Sequence, residues 1–240
     1  MPPIVRCLPL LNESGPVQMA ADEVLLESAI AGVATLRFYT WREPTQSLGY
    51  FQPTAERRAG LPWVRRTSGG AALVHHHELT YALALPPGSP WQKRGESWIC
   101  RMHTIIGQAL QRLGVPLHPV RCETEVKVGP VLCFLHHTPG DLLLAGRKIV
   151  GSAQRKSRGA LMQHGGILLA QSPFTPELPG IRDLVGLELT PNELAQAIAE
   201  DFQADTGWEL RAESWTELEL RRRTELAESK YSRPEWNEKR

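Results

Sequence analysis

The sequence has few cysteines, four in 240 residues (Cys7, Cys100, Cys122 and Cys133), with no CxxC pair among them. A disulfide framework or a zinc site needs denser or paired cysteines, so neither is expected, and the thiols are read as free, any one a possible nucleophile. An excess of one charge is also missing. The 27 basic and 26 acidic side chains leave a net of +1, which excludes a protein that holds nucleic acid by bulk electrostatics. No run approaches the roughly 18 apolar residues of a membrane span. The opening MPPIVRCLPLLNESG lacks the long apolar stretch and small-residue cleavage site of a secretory signal. There is no internal repeat and no low-complexity tract. What remains is an ordinary soluble composition and an expected cytoplasmic location, with no nucleic acid and no membrane as partner. A chain of this length buries roughly 70–75% of its unfolded surface and needs no staples.

The pattern of apolar residues predicts α+β. A first helix is expected over about Val17–Ala31, stopped by Gly32, and a half-buried strand at TLRFYTW. SLGYFQP and WVRR read as strands, and AALV and LTYALALP follow the glycine loop Thr67-Ser68-Gly69-Gly70. Ile99, Met102, Ile106, Leu110 and Leu113 form one stripe of a helix from about Trp98 to Leu113, closed by Gly114. VLCFL, DLLLAGRKIVGSA and ALMQHGGILLA read as strands, with Gly146-Arg147 as a hairpin turn. Capping boxes are expected at Thr190-Pro191-Asn192-Glu193 and at Ser214-Trp215-Thr216-Glu217. The tail KYSRPEWNEKR reads as a polar surface segment. Strands first and helices last favour α+β over regular βα alternation, in one domain over 1–240 whose helical segment and tail occupy about 190–240.

Taken singly, the candidate residues have bland explanations. Ser68-Gly69-Gly70 after Arg65-Arg66 is either a loop whose amides and arginines hold an oxygen, or a turn with surface arginines. Cys133 in an apolar strand reads as a small hydrophobe, and Lys148 in KIV as a side chain snorkelling to water. Three successive histidines, His75-His76-His77, invite a metal. Adjacent strand residues point to opposite faces, so no metal site is expected there.

Taken together, RRTSGGAALVHHHELTY, CFLHHTPGDLLLAGRKIVGSAQ, QHGGILL and KYSRPEWN, in that order, resemble the catalytic domain of the lipoate/biotin protein ligase and octanoyltransferase family. QMAADEVLL and RFYTWREPTQSLGYFQ resemble the family's opening, so the likeness spans about Met19–Asn237. It implies that family's ligase-like fold, mostly antiparallel sheets flanked by helices. Cys133 lies 15 positions before Lys148, in the CF context where the cysteine-dependent octanoyltransferases of the family carry their nucleophile. The resemblance therefore implies octanoyl transfer in lipoate biosynthesis, without a cofactor. Octanoyl-acyl carrier protein would acylate Cys133. A lysine of a lipoyl-domain protein, the glycine-cleavage H protein or a dehydrogenase E2 subunit, would then take the chain as an amide. Lys148 would stabilise the thiolate as a cation, or accept a proton if burial depressed its pKa. Amides at Gly151-Ser152-Ala153 would serve the oxyanion, and Arg66, Ser68, Gly69, Gly70, His75, His164 and Gly165 would bind substrate.

Departures from the family pattern are Ala71 after the glycine pair, His77 where an acidic residue is usual, and His136-His137-Thr138-Pro139 after the thiol. A Cys133–His dyad is the weaker reading of that last loop. Two further functions stay open. One is an ATP-dependent lipoate–protein ligase, in which Lys148 binds the acyl-adenylate, Cys133 is incidental and Mg-ATP is required. The other is a non-catalytic relative that binds an acyl group or a lipoyl domain. A biotin ligase fits the motifs less well.

Overall fold

The computed structural model describes residues 1–93, 95, 97–119, 134 and 140–240. Eight strands form the larger sheet: β1 (Ile4–Glu13), β2 (Thr35–Trp41), β6 (Glu78–Leu85), β7 (His118–Pro119), β8 (Leu142–Leu144), β9 (Arg147–Ser157), β10 (Ala160–Leu168) and β11 (Glu209–Ala212). Their order is β11-β1-β2-β6-β10-β9-β8-β7, antiparallel except where β1 meets β2 and β11. A three-stranded sheet orders β4 (Trp63–Arg65), β3 (Thr45–Leu48) and β5 (Leu73–His75). The expected α+β class with mostly antiparallel sheets is what forms.

Strand β6 shows why the large sheet is covered twice. Leu79, Tyr81, Leu83 and Leu85 pack against Met102, Ile105, Ile106 and Leu110 of helix α2 (Trp98–Arg112). The alternating Ala82 and Ala84 face Met19, Leu25 and Ala29 of helix α1 (Gly15–Ile30). The alternation therefore marks two different packing partners, not one buried and one wet face: small residues let α1 lie close to the sheet. Helix α1 is buried around much of its girth, Gln18 and Asp22 included.

Several boundaries shift from expectation. SLGYFQP is strand only to Leu48. The β8–β9 hairpin turns on Ala145-Gly146, with φ of 48° and 75°, one residue before Gly146-Arg147. A two-residue turn with two positive φ values places its glycine second, which fixes the register. VLCFL falls, apart from Phe134, outside the described residues.

Helix α3 (Ile181–Val185) precedes α4 (Pro191–Thr206), whose Thr190/Glu193 box forms as expected. Helix α5 (Glu217–Leu226) is capped instead by Thr216, which accepts from the Glu219 amide at 3.2 Å while Glu219 accepts from the Thr216 amide at 3.0 Å. Glu219 wins the capping place because it is also gripped by Arg6 at 2.6 Å and Ser28 at 2.9 Å, tying α5 to β1 and α1. Burial alone would raise the Glu219 pKa, but these bonds, Arg6 foremost, bring it down to about 2. A depressed carboxyl stabilises the fold above its unfolded pKa of about 4.3 and loses that contribution as pH falls toward the folded value. Glu219→Gln is therefore expected to be less stable than wild type at neutral pH, with the gap closing at about pH 2. Denaturant midpoints at the two pH values check this, and an unchanged gap would remove Glu219 from the acid transition.

The tail is no surface drape. Tyr231 is buried, and so is Asn237 at the end of helix α6 (Pro234–Asn237). Asn237 accepts from the Arg65 amide through its side chain and from Arg65 Nε through its carbonyl, both at 2.8 Å. Trp236 Nε1 donates to the Arg65 carbonyl at 2.8 Å. The chain end thus clamps β4 just where it enters the glycine loop.

Candidate active site

The loop joining β4 to β5 carries Ser68-Gly69-Gly70. Arg65 and Arg66, expected either on the surface or on a ligand, are both buried inside the scaffold. Arg65 donates to the carbonyls of Gly49 and Gln52, and Arg66 to those of Ser47, Gly69 and Ala71. A guanidinium presents five donors in a fixed fork, and here much of the fork shapes backbone. Gly70 sits at φ +89°, so it needs glycine. Gly49 approaches so closely that a Cβ there would stand 2.0 Å from the Gly70 carbonyl oxygen.

Beneath the loop lies a small cavity of about 40 Å³, its apolar wall made by Met19, Tyr39, Trp41 and Leu73. Gly70, Gly151, Ser152, Ala153, Gly165, Arg66, His75 and His164 also line it, with Ser47, Thr80 and Gly166. Gly151, Ser152 and Ala153 of β9 pair with Gly166, Gly165 and His164 of β10, so the motifs GSA and QHGG form one patch of wall. The close pairing requires glycine: a Cβ on Gly165 would meet Ser152 Oγ at 2.3 Å.

Two histidines on this wall are each held by a carboxylate and face a serine. His75 Nδ1–H donates to Glu78 Oε1 at 2.6 Å, its Nε2 lies 2.8 Å from Ser47 Oγ, and its ring stacks on Trp41 at 3.8 Å. His164 Nδ1–H donates to Asp22 Oδ2 at 2.8 Å, and its Nε2 lies 2.6 Å from Ser68 Oγ. Burial works to raise the Asp22 pKa, but Arg37, at 2.6 Å, and His164 outweigh it and hold the carboxyl below its usual range. Only His75 of the histidine triplet belongs to β5. His76 and His77 lie in the bend after it and stack on each other at 3.7 Å, reaching Ser172 Oγ and the Gln171 carbonyl. The strand-alternation argument thus does not apply to them.

On the α2 side of β9, Lys148 Nζ lies 2.7 Å from Asp141 Oδ2, both side chains 3% exposed. Lys148 does not snorkel, and it meets a carboxylate that no local pattern pairs with it. Its ammonium stands 5.7 Å from the Phe134 ring. Nearby, His103 donates from Nδ1 to the Gly140 carbonyl at 2.7 Å, which leaves Nε2 to accept from Ser152 Oγ at 2.7 Å. Ser152 then accepts from Tyr81 OH at 2.7 Å, and Tyr81 from Gln163 at 2.6 Å. Burial lowers the His103 pKa and pushes Tyr81 up to about 12, so this chain holds neutral groups. The Ser152 side chain is thereby turned away from the cavity its backbone lines.

The structure thus brings Arg66, Gly70, His75, Gly151, Ser152, Ala153, His164 and Gly165 to one cavity, with Ser68 behind His164. Gly69 does not line it, and neither does Lys148. Cys133, Cys122, His136 and His137 lie outside the described residues. Asp22, Glu78, His103 and Asp141 were missed by sequence reasoning. Asp22 in QMAADEVLL carried the one available signal, an acid in an apolar helical run, which has to be paired to be buried. Among the described residues no group of three or more His, Cys, Asp or Glu is arranged to hold a metal ion.

Cavity, loop and paired strands meet on an α+β scaffold. The chain belongs to the lipoyl protein ligase A/B catalytic domain family, whose model matches residues 14–175. Octanoyltransferase LipM of Anoxybacillus flavithermus is 30% identical to it, covering 98% of this chain and 96% of that protein. LipM of Carboxydothermus hydrogenoformans is 32% identical over 93% and 94%. Among solved structures, a lipoate-protein ligase A bound with ATP superposes at a TM-score of 0.80 with 24% identity, covering 99% of each chain. A putative lipoate protein ligase from T. acidophilum with bound lipoic acid gives 0.79 at 22%, covering 99% and 100%. At these identities the two structures speak for the fold alone.

Proposed function

We propose that the protein is an octanoyl-acyl carrier protein:protein N-octanoyltransferase, working through a thioester on Cys133. The observation that carries this is the near-full-length similarity to octanoyltransferases at about 30% identity, together with Cys133 and Lys148 at the family's spacing. The placement of Lys148 supports it: a buried cation lies beside Phe134, the residue that follows Cys133 in sequence. A free thiol is only a few per cent thiolate at neutral pH, and a neighbouring cation raises that fraction. The thiolate attacks the donor thioester, the carrier's thiol leaves, and a lysine of a lipoyl-domain protein takes the chain as an amide. The apolar wall of Met19, Tyr39, Trp41 and Leu73 suits an alkyl tail, at about 0.8 kcal/mol per buried CH2. Gly151, Ser152 and Ala153 line the same cavity, and their amides would serve the oxyanion. The reaction calls for no cofactor and a cytoplasmic setting; among the described residues no helix is long and apolar enough to cross a membrane.

Intact-protein mass spectrometry with octanoyl-acyl carrier protein and no nucleotide tests this. An octanoyl adduct on Cys133 that a lipoyl domain discharges is the expected result, and Cys133→Ser is expected to stay folded and show no transfer. Modification of the acceptor only after ATP and free acid are added would make the protein a ligase. Binding of the lipoyl domain without any transfer would make it a non-catalytic relative.

A further inference from the structure

Several surface cations of this chain are neutralised by carboxylates. Lys230 holds Glu23 at 2.6 Å, Arg58 holds Glu177 at 2.6 Å, and Arg222 lies 2.9 Å from both Glu27 and Glu225. Around the glycine loop that habit stops. Among the described residues no carboxylate side chain pairs with Arg155, Lys239 or Arg240, and Glu238 lies instead 4.0 Å from Arg57. The three are held over aromatic rings. Lys239 Nζ stands 3.2 Å from the centre of the Trp236 ring and 3.8 Å from that of Tyr50. The guanidinium carbons of Arg240 and Arg155 stand 5.1 and 5.9 Å from the Tyr50 ring. A cation over an aromatic face is held in place without losing its charge. Arg240, and then Lys239, draw the Tyr50 pKa below its usual value, as a positive potential at that hydroxyl requires.

This patch is continuous with the mouth of the cavity. Gly70 both lines the cavity and is exposed, so the opening lies there. Side chains alternate along a strand, so Arg155 follows Gly151 and Ala153 on one face of β9 and ends the row that lines the cavity. Its guanidinium donates to the Thr67 carbonyl at 2.9 Å, and the Tyr50 amide donates to the Ser68 carbonyl at 2.8 Å. Phe51, 71% exposed, packs edge-on against Tyr50 at 4.9 Å and stands 3.8 Å from where a Gly69 Cβ would be. Exposed aromatics beside arginine are the composition of protein-docking surfaces. Resting on the transfer reading, we propose that Tyr50, Phe51, Arg155, Lys239 and Arg240 dock the protein that delivers the acyl thioester, through an acidic face around the phosphate that anchors its acyl-bearing arm.

Charge favours the donor over the acceptor at this surface. The whole chain nets only +1, so any attraction for an anion has to be local. The carrier's arm is joined to it through a phosphodiester, an anion at the root of the arm wherever the carrier sits. Cations at the mouth therefore place that root beside the opening the arm must enter. A lipoyl-domain lysine arrives as a cation, with a pKa of about 10.4, and the same charges oppose it. Exposed charges of this kind act on encounter: they raise the association rate, are screened over about 8 Å at physiological ionic strength, and leave the chemical step alone.

The test compares wild type with Lys239→Glu/Arg240→Glu and with Arg155→Gln, which keeps a donor for the Thr67 carbonyl. Acyl-enzyme formation is followed by intact mass from two donors, octanoyl-acyl carrier protein and octanoyl-pantetheine, a small thioester with neither protein nor phosphate. In the charge-reversed variant kcat/KM for the carrier donor is expected to fall about 10²-fold, through KM, and to lose its dependence on salt. Arg155→Gln should show a smaller loss of the same kind. The small donor should acylate all three proteins alike, and a lipoyl domain should discharge the formed acyl-enzyme at the wild-type rate. Equal losses with both donors would overturn the proposal by showing that the substitutions disturb the glycine loop, and undiminished carrier acylation would overturn it outright. Slower discharge by the lipoyl domain with normal carrier acylation would overturn it by giving the surface to the acceptor. A wild type that forms no acyl-enzyme from either donor would instead sink the transfer reading, and calorimetric binding of the carrier, lost on charge reversal, would still bear out the surface.

Discussion

Lys148→Met is expected to cost about 3–5 kcal/mol of stability, and it should lower acyl transfer by about 10²–10⁴-fold as well. The first effect follows from the partner left behind. Asp141 and Lys148 are each 3% exposed, so removing the cation takes the ion-pair partner at 2.7 Å from a carboxylate that water cannot reach. The two effects separate in the double variant Lys148→Met/Asp141→Leu. Replacing both members of a buried pair with apolar groups of similar size is often neutral, so stability should return toward wild type while transfer stays lost. Thermal or denaturant melts and a transfer assay on the three proteins decide the matter. Recovery of activity along with stability would show that Lys148 serves only to neutralise Asp141.

Gly49→Ala should be nearly as damaging, although Gly49 was not among the expected site residues. Its Cβ would fall 2.0 Å from the Gly70 carbonyl oxygen and 3.2 Å from an Arg66 nitrogen. Neither neighbour yields easily: Gly70 is fixed at φ +89°, and Arg66 is bonded to the Gly69 and Ala71 carbonyls. The loop must move off β3, at about 1–3 kcal/mol of strain. A displacement near 1 Å at a reacting site costs about 10²-fold in rate. Gly69→Ala is the contrasting variant, since the nearest atom to its added Cβ is Phe51 at 3.8 Å and its effect should stay within about 0.5 kcal/mol. Comparable damage at both positions would mean that the loop is sensitive to any side chain and that the Gly49 approach is not special.

Much of this was legible in the chain. The expected strand Thr35–Trp41 is met in extent, though it is buried on both faces and not half-buried, and the stripe from Trp98 gives a helix ending at Arg112. Such features follow from local periodicity and stop signals, which act through neighbours in sequence. The motifs RRTSGG, GRKIVGSAQ and QHG pointed to one family, and their residues from Arg66 to Gly165 gather largely at one cavity. What sequence missed is long-range and polar. Ile4–Glu13 and Glu209–Ala212 are strands because they pair with each other and with β2, not because of their own pattern. The capping box of α5 moved to Thr216 and Glu219 because Arg6, 213 positions away, grips Glu219.

The sequence by itself determined the fold class, the family and part of the set of residues around the cavity, since periodicity and motif spacing are properties of the chain. Only the tertiary structure decided which polar groups meet. Asp141 holds Lys148, Asp22 orients His164, His103 turns Ser152 away, and the last helix clamps Arg65. A buried charge or hydrogen-bonding group must find a partner wherever the folded chain supplies one, and no local rule says where that will be.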